Sequence, residues 1–261
     1  MIDTHCHLYS DELLPEIDAV LCRAGEAGIT KIYLPAIDSG TTKAMLSLEE
    51  KFPGKCFAMI GLHPCSVKEN YGEELEHISH WLTQRSFAAI GETGLDFYWD
   101  TTYKAEQYKA LEKQIEWALH YRLPLVLHTR NAMQETIDVV KAYAGSGLRG
   151  IFHCFGGSAT EAEQIIDTGF LLGIGGVLTY KKSGLAEVLA GIDLQHIVLE
   201  TDAPYLAPVP YRGKKNESSY MVEVAKKLAE VKNVSLDTVD SITTTNAERL
   251  FAAMPQNNPS E

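Results

Sequence analysis

The chain opens on Ile2-Asp3-Thr4-His5-Cys6-His7, and the reading of this stretch decides the fold. The apolar start marks a strand. Strand side chains alternate between faces, so His5 and His7 are expected on one face together with Asp3. Two neutral imidazoles aimed the same way make a poor core and a good half of a metal site. Each ring offers one nitrogen lone pair and needs a carboxylate, a carbonyl or water at its other nitrogen. A His-x-His pair alone also reads as a surface edge or a satisfied core pair. What the later strands place beside it separates these readings.

The pattern of an apolar run ending in a polar group recurs through the chain. After residues 2–7, short β-rich runs lie at residues 31–35, 56–60, 88–90, 125–130, 150–155, 170–174 and 197–202. Apolar residues at helical spacing predict helices between them, at residues 11–27, 41–51, 73–84, 104–121, 132–143, 160–168 and 184–189. Beyond the last run, residues 220–232 read as a helix, with a second near Val239 and a third from Asn246. Strands alternating with helix-length connections are the signature of parallel βα units. Eight such units predict an α/β fold, a single (β/α)8 TIM barrel over residues 1–261 with C-terminal helices; residues 253–261 read as a flexible tail. A chain of 261 residues suits a barrel of roughly 250.

Composition narrows the classes. A hydrophobic share of 45% with 22% charged residues suffices for a sizeable core without disulfide or metal staples. Five cysteines with no paired spacing suit a reducing compartment. The strand at Ile2 leaves no room for a signal peptide, and no apolar run reaches the roughly 18 residues of a membrane helix. A cytoplasmic protein with no membrane association and no obligate protein partner is expected. The net charge of -12 argues against broad electrostatic attraction to nucleic acid. A polyanionic substrate would need local cations, bound metal foremost.

In a βα barrel, polar residues at the carboxyl ends of strands meet in one bowl. His5, His7, Glu92, His128, His153 and Asp202 each follow an apolar run of strand length. Core packing explains such a set poorly, because buried imidazoles and carboxylates are costly without partners. These residues are therefore the expected metal ligands, enough for two divalent ions, or three. Glu92 can bridge ions roughly 3.5 to 4 Å apart. Barrel hydrolases that open cyclic amides often bridge their ions with a carboxylated lysine, and no lysine stands at this strand end. Phosphoester hydrolysis fits the set better.

These motifs, Asp3-Thr-His5-Cys-His7-Leu8, Gly61-Leu-His-Pro64, Gly91-Glu-Thr-Gly-Leu-Asp96, Leu123 to Arg130, His153-Cys-Phe-Gly-Gly157, Glu200 to Pro208, Arg212 to Glu217 and Asn246 to Phe251, together resemble the TatD-like metal-dependent deoxyribonuclease family, a branch of the amidohydrolase barrels. The resemblance covers nearly the whole chain. It implies metal binding at the same six residues and a 3′ to 5′ exonuclease acting on DNA ends, single-stranded ones in particular. Thr93 and Ser218 depart from the family pattern, which has an aliphatic residue and a proline there.

Around the ligands, His63 is expected to donate to a substrate phosphate or to cap the turn at Pro64. Arg130 shares a strand face with His128 and can fork onto a phosphate, or sit in a rim salt bridge. Arg212, Lys214 and Lys215 form a compact basic loop beyond the eighth strand, a substrate rim or a solvated charge run. Tyr205, with Tyr98 and Trp99, can stack bases or pack a lid. Glu200 is expected to orient a ligand from behind. His77, His80, His120 and His196 read as surface residues.

The resulting expectation is a metal-dependent phosphodiesterase in which Asp202 and Glu92 are catalytic, Asp202 accepting a proton from the attacking water. The ions expected are magnesium, manganese or zinc. The alternatives are an amidohydrolase acting on a small cyclic amide or lactone with the same ions, and a binding protein built on the same barrel.

Overall fold

The apolar runs form eight parallel strands, which need cover on both faces because their crossovers put helices outside. In the computed structural model, which describes residues 1–252, these are β1 (Ile2–Asp3), β2 (Lys31–Pro35), β3 (Cys56–Met59), β4 (Ile90–Asp96), β5 (Leu125–Arg130), β6 (Gly150–Phe152), β7 (Leu171–Ile174) and β8 (Ile197–Leu199). Between them run α1 (Ile17–Glu26), α2 (Ser39–Lys51), α3 (Tyr71–Gln84), α4 (Lys104–His120), α5 (Met133–Lys141), α6 (Ala159–Asp167) and α7 (Leu185–Ala190), and α8 (Met221–Lys232) and α9 (Leu236–Phe251) follow β8. The expected tail at residues 253–261 lies outside the described residues. No helix among the described residues is long and apolar enough to cross a membrane.

The strands pair in chain order, β1 to β3 and β4 to β8. Two seams join these sheets. At one, Ile60 N–H donates to Ala89 O at 3.1 Å and Gly91 N–H to Ile60 O at 2.8 Å. At the other, Thr4 N–H donates to Leu199 O at 3.1 Å and Asp202 N–H to His5 O at 2.9 Å, flanking a parallel bridge between Cys6 and Ala203. These bonds close the barrel.

Two apolar layers result. The larger packs the outer strand faces against the helices. The smaller gathers Ile2, Tyr33, Met59, Val126, Ile151 and Val198 with Ala89 just before β4. Residues drawn from strands all around the sheet can meet in this way only inside the barrel. From below, α9 closes that layer with Ala247 and Leu250, and Phe251 stacks on Tyr33 at 3.7 Å.

Several local expectations are corrected. The first helix begins at Ile17 after a 3-10 turn at Leu14–Glu16, because Pro15 has no N–H to give an earlier helical turn. β6 stops at Phe152 and β8 at Leu199; Cys154 and Asp202 then take positive φ of 49° and 54°, which ends extended pairing. The last two expected helices are one. Nothing in Leu236–Phe251 breaks it, and Thr243 and Thr245 bond their hydroxyls back to Val239 O and Ser241 O. Asn246, read as a helix start, lies inside α9 and donates from Nδ2 to Leu194 O and Ile197 O, both at 2.8 Å.

Asn246→Ala is expected to remove a donor from each of those two carbonyls at the base of β8, where Leu194 O keeps its bond from Ile197 N–H. Such losses cost about 2 kcal/mol, so the denaturation midpoint should fall with an unchanged m-value. An unchanged midpoint in urea titrations would show that water replaces the amide.

Candidate metal centre

A bulge in β4 sets the centre. Ala89 faces the barrel interior, so regular alternation would turn Glu92 outward. Between Ile90 and Thr93, however, β4 takes three steps while β5, from Leu125 to Leu127, takes two. The extra residue returns Glu92 to the interior. Gly94 allows the strands to stay close, since its φ is 141° and a Cβ there would lie 2.0 Å from His128 O.

Glu92 is buried, and five imidazoles surround it. Its Oε2 lies 3.1 Å from His5 Nε2 and 3.6 Å from His7 Nε2. Its Oε1 lies 2.8 Å from His128 Nδ1, 3.0 Å from His153 Nε2 and 3.3 Å from His63 Nε2. Asp202 Oδ1 meets the first pair, 3.7 Å from His5 and 3.5 Å from His7. The structure thus brings together all six residues expected as ligands and adds His63.

Hydrogen-bond partners assign several ring protons. Tyr9 donates its hydroxyl to Pro35 O at 2.5 Å, so its oxygen accepts from His7 Nδ1 at 2.9 Å. The lone pair of His7 is then on Nε2, facing the cluster. His63 is the opposite case. Cys65 N–H donates to its Nδ1 at 3.0 Å, which caps the turn at Pro64 and leaves Nε2 as a donor. His63, Glu92 and His128 converge closely enough for a metal, but while that bond holds His63 has no lone pair to offer there.

Two other sets remain, His5 with His7 and Glu92, and His5 with His153 and Asp202, each with donor atoms within 4.8 Å of one another. A cation fits them. His5 and His7 bring their Nε2 atoms to 3.3 Å, a separation that needs a proton or an ion between them. Every ion-pair partner of Glu92, Asp96, Glu200 and Asp202 among the described residues is a histidine, so no lysine or arginine already balances the carboxylates.

The electrostatics agree. Burial opposes the charge on Glu92, yet His153, His63 and His5 hold its carboxyl well below the usual range. Burial likewise opposes a charged His153, but Glu92 and Glu200 raise it well above the ordinary imidazole value. Stacked on His153 at 3.8 Å, His5 is lowered by burial and then by that ring. His128 is raised against burial by Asp96 and Glu92.

The surrounding residues fall in different places. Glu200 stands behind His153 rather than against His5 and His7: its Oε1 accepts from Cys154 N–H at 2.6 Å and lies 3.4 Å from His153 Nδ1. Gly173 makes room for it, since a Cβ would come within 2.3 Å of Glu200 Oε2. The Asp3 carboxylate also leaves the histidine face. It accepts from the N–H and hydroxyl of Thr201 at 3.0 and 2.7 Å, and burial pushes its carboxyl up to about 7. Arg130 lies over Tyr98 and Trp99 at 4.1 and 5.1 Å. Tyr205 sits with its ring 6.1 Å from that of His7.

The basic loop is anchored rather than loose. Asn216 Nδ2 donates to Thr201 O and Tyr205 O at 2.8 and 2.7 Å, and Arg23 forks onto Glu217 at 2.7 and 2.6 Å. Arg212 lies over Tyr180 at 4.4 Å, Lys214 is exposed, and Lys215 bonds Glu12 O at 2.8 Å. These contacts hold Arg212 and Lys215 around the loop rather than in the imidazole cluster.

Asp96 was missed by the sequence reading. Its Oδ2 lies 3.0 Å from His128 Nε2 while its Oδ1 accepts from Tyr98 and Trp99 N–H at 2.9 and 3.1 Å. The signal was available, since Asp96 lies two strand periods beyond Glu92. The departure at Thr93 also finds its reason: Gln114 Nε2 donates to its hydroxyl at 2.6 Å, which an aliphatic residue could not accept.

This constellation matches a known family. The sequence model described as TatD related DNase covers residues 2–252. The chain belongs to the TatD-related DNase family. Among its TatD relatives it is 36% identical to the uncharacterized metal-dependent hydrolase YabD of Bacillus subtilis, over 96% of this chain and 98% of that protein. It is 28% identical to the 3′-5′ ssDNA/RNA exonuclease TatD of Pectobacterium parmentieri, over 96% and 99%. The crystal structure of the TatD homologue YjjV from Escherichia coli superposes with a TM-score of 0.91, at 30% identity and 97% and 98% coverage. The protein is thus a TatD-family metal-dependent hydrolase with a parallel α/β barrel.

Manganese or zinc added to chelator-treated TatD-family protein is expected to raise its melting temperature, and His153→Ala to diminish the rise. Binding near neutral pH should release protons, because His128 and His153 hold theirs more tightly than an ordinary imidazole. Calorimetric titration in two buffers of different ionisation enthalpy reads the release. Buffer-independent heats would contradict it.

Proposed function

We propose that this hydrolase cleaves phosphodiester bonds of DNA, removing nucleotides from a single-stranded 3′ end. The observation that carries the reading is the division of Glu92, whose two oxygens face different imidazole sets. A carboxylate so placed suits paired ions and in-line displacement at phosphorus. The Pectobacterium relative named as a single-stranded DNA/RNA exonuclease supports the substrate class.

His5, His7, Glu92, His128, His153 and Asp202 would hold two divalent ions, or three, of magnesium, manganese or zinc. When bound, such ions supply Lewis acidity toward a phosphoryl oxygen and make water nucleophilic near neutral pH. The protein supplies the proton acceptor and the positioning. Burial opposes ionisation of Asp202, but the neighbouring His7 ring and the charge of His153 hold its carboxyl below the usual value. It is therefore an anion at neutral pH. Its Oδ1 is the oxygen turned to His5 and His7, which leaves Oδ2 to take the water proton. Glu92 shares the catalytic role by fixing the ligand geometry from the centre.

His63 donates from Nε2, the nitrogen that its Cys65 bond leaves protonated, to a non-bridging phosphate oxygen. Arg130 carries a guanidinium beyond His128 on the same strand, within the mouth where the next phosphate would lie. Tyr205, Arg212, Lys214 and Lys215 form the outer rim. Glu200 orients His153, and Asp96 orients His128.

The test is a metal-reconstituted protein given a 5′-labelled single-stranded oligonucleotide. A ladder shortening from the 3′ end is expected. Turnover of cyclic amides or lactones without any DNA degradation would replace the reading by the amidohydrolase one.

Two substitutions separate chemistry from binding. Asp202→Asn should lower kcat by about 10²- to 10⁴-fold, the range for a lost general base, with a much smaller change in KM. Arg130→Ala should raise KM, and the slope of binding against salt should become shallower by about one phosphate contact. An effect of Asp202→Asn on KM alone would place that residue in substrate binding.

A further inference from the structure

Tyr98 and Trp99 are large aromatic side chains that the fold leaves outside, 52% and 66% exposed. Exposed aromatics that are also held rigidly point to a surface kept for contact. The loop that carries them is rigid at its root. Asp96 Oδ1 accepts from both their backbone N–H groups at 2.9 and 3.1 Å, and its Oδ2 contacts His128. The two rings meet edge to face, 4.8 Å apart at 86°. The Arg130 guanidinium lies over both, so the cation and the aromatic surface form one unit immediately outside the imidazole cluster.

We propose that Trp99, held by Asp96 and backed by Arg130, is a stacking platform for a nucleobase beside the scissile phosphate. The inference rests on the nuclease reading and names how that site prefers unpaired DNA ends. A base has two free π-faces only when it has left the duplex stack, and stacking on an aromatic side chain tolerates any base. Arg130 adds charge toward the adjoining phosphate and polarises the ring stack. The loop is ordered before substrate arrives, so little affinity is lost to ordering it.

The discriminating substrates are two oligonucleotides of equal length, one normal and one with abasic residues at its last three 3′ positions. Trp99→Ala should raise KM for the normal substrate, and Kd for a fluorescent normal oligonucleotide on chelator-treated protein, by about tenfold. On the abasic substrate the same substitution should change neither constant. Trp99→Phe keeps an aromatic face and should restore most of the lost affinity, while thermal melts verify that each variant is folded. Equal effects on both substrates would make Trp99 part of a lid and overturn the platform. So would no effect on either, with wild-type protein still degrading DNA, and in that case the nuclease reading stands. If the wild-type protein degrades no oligonucleotide, that reading fails and the platform fails with it.

Discussion

A buried carboxylate is the constraint on which the centre depends. Glu92 is nearly inaccessible, and an ionised carboxylate taken from water costs several kcal/mol before any partner is counted. Its compensation comes from five imidazoles carried on four separate segments of the chain. None of them could approach unless the strands converged, and convergence requires barrel closure at both seams. The bulge in β4, the glycine at 94 and the bonds from Thr4, His7 and Asp202 across the last seam all serve that approach. Remove the closure and the carboxylate is left without counter-charge.

Four of the five histidines have a neighbour at the nitrogen turned away from Glu92. Tyr9 accepts from His7 Nδ1, Asp96 faces His128, Glu200 lies beside His153, and the Cys65 amide fixes His63. The four cases differ in consequence. A donor at Nδ1 leaves a lone pair at Nε2 for a cation, whereas an acceptor at Nδ1 leaves a proton there for a phosphate. One cluster thereby contains both ligand-like and donor-like imidazoles, and the neighbouring atom decides which is which.

The apolar floor of the barrel is kept apart from this polarity. Ile2, Tyr33, Val126, Ile151 and Val198 fill the lower interior, with α9 against them. On β5, β6 and β8 the inward residues two places further along are His128, His153 and Glu200. Stability and chemistry therefore occupy successive layers of the same strands.

Much of this was legible in the sequence. Period-two alternation and the recurrence of apolar runs ending in His, Glu or Asp determined eight parallel βα units and the six residues expected to bind metal, because those signals are local to each strand. Alternation failed where the chain is irregular. Ala89 and Glu92 both face inward only through an added residue, and Asp3 turns to Thr201 because β1 ends beside it. Spacing put His63, Glu200, Arg130 and Asp96 near the centre but did not name the atoms that each one meets. A ring proton, a guanidinium held on two aromatics and an ion pair between strands are set by atoms that lie far apart in sequence. What the sequence determined by itself was which residues stand at the strand ends; only the tertiary structure decided which way each one faces and what it meets, since those depend on closure of the sheet and on hydrogen bonds across it.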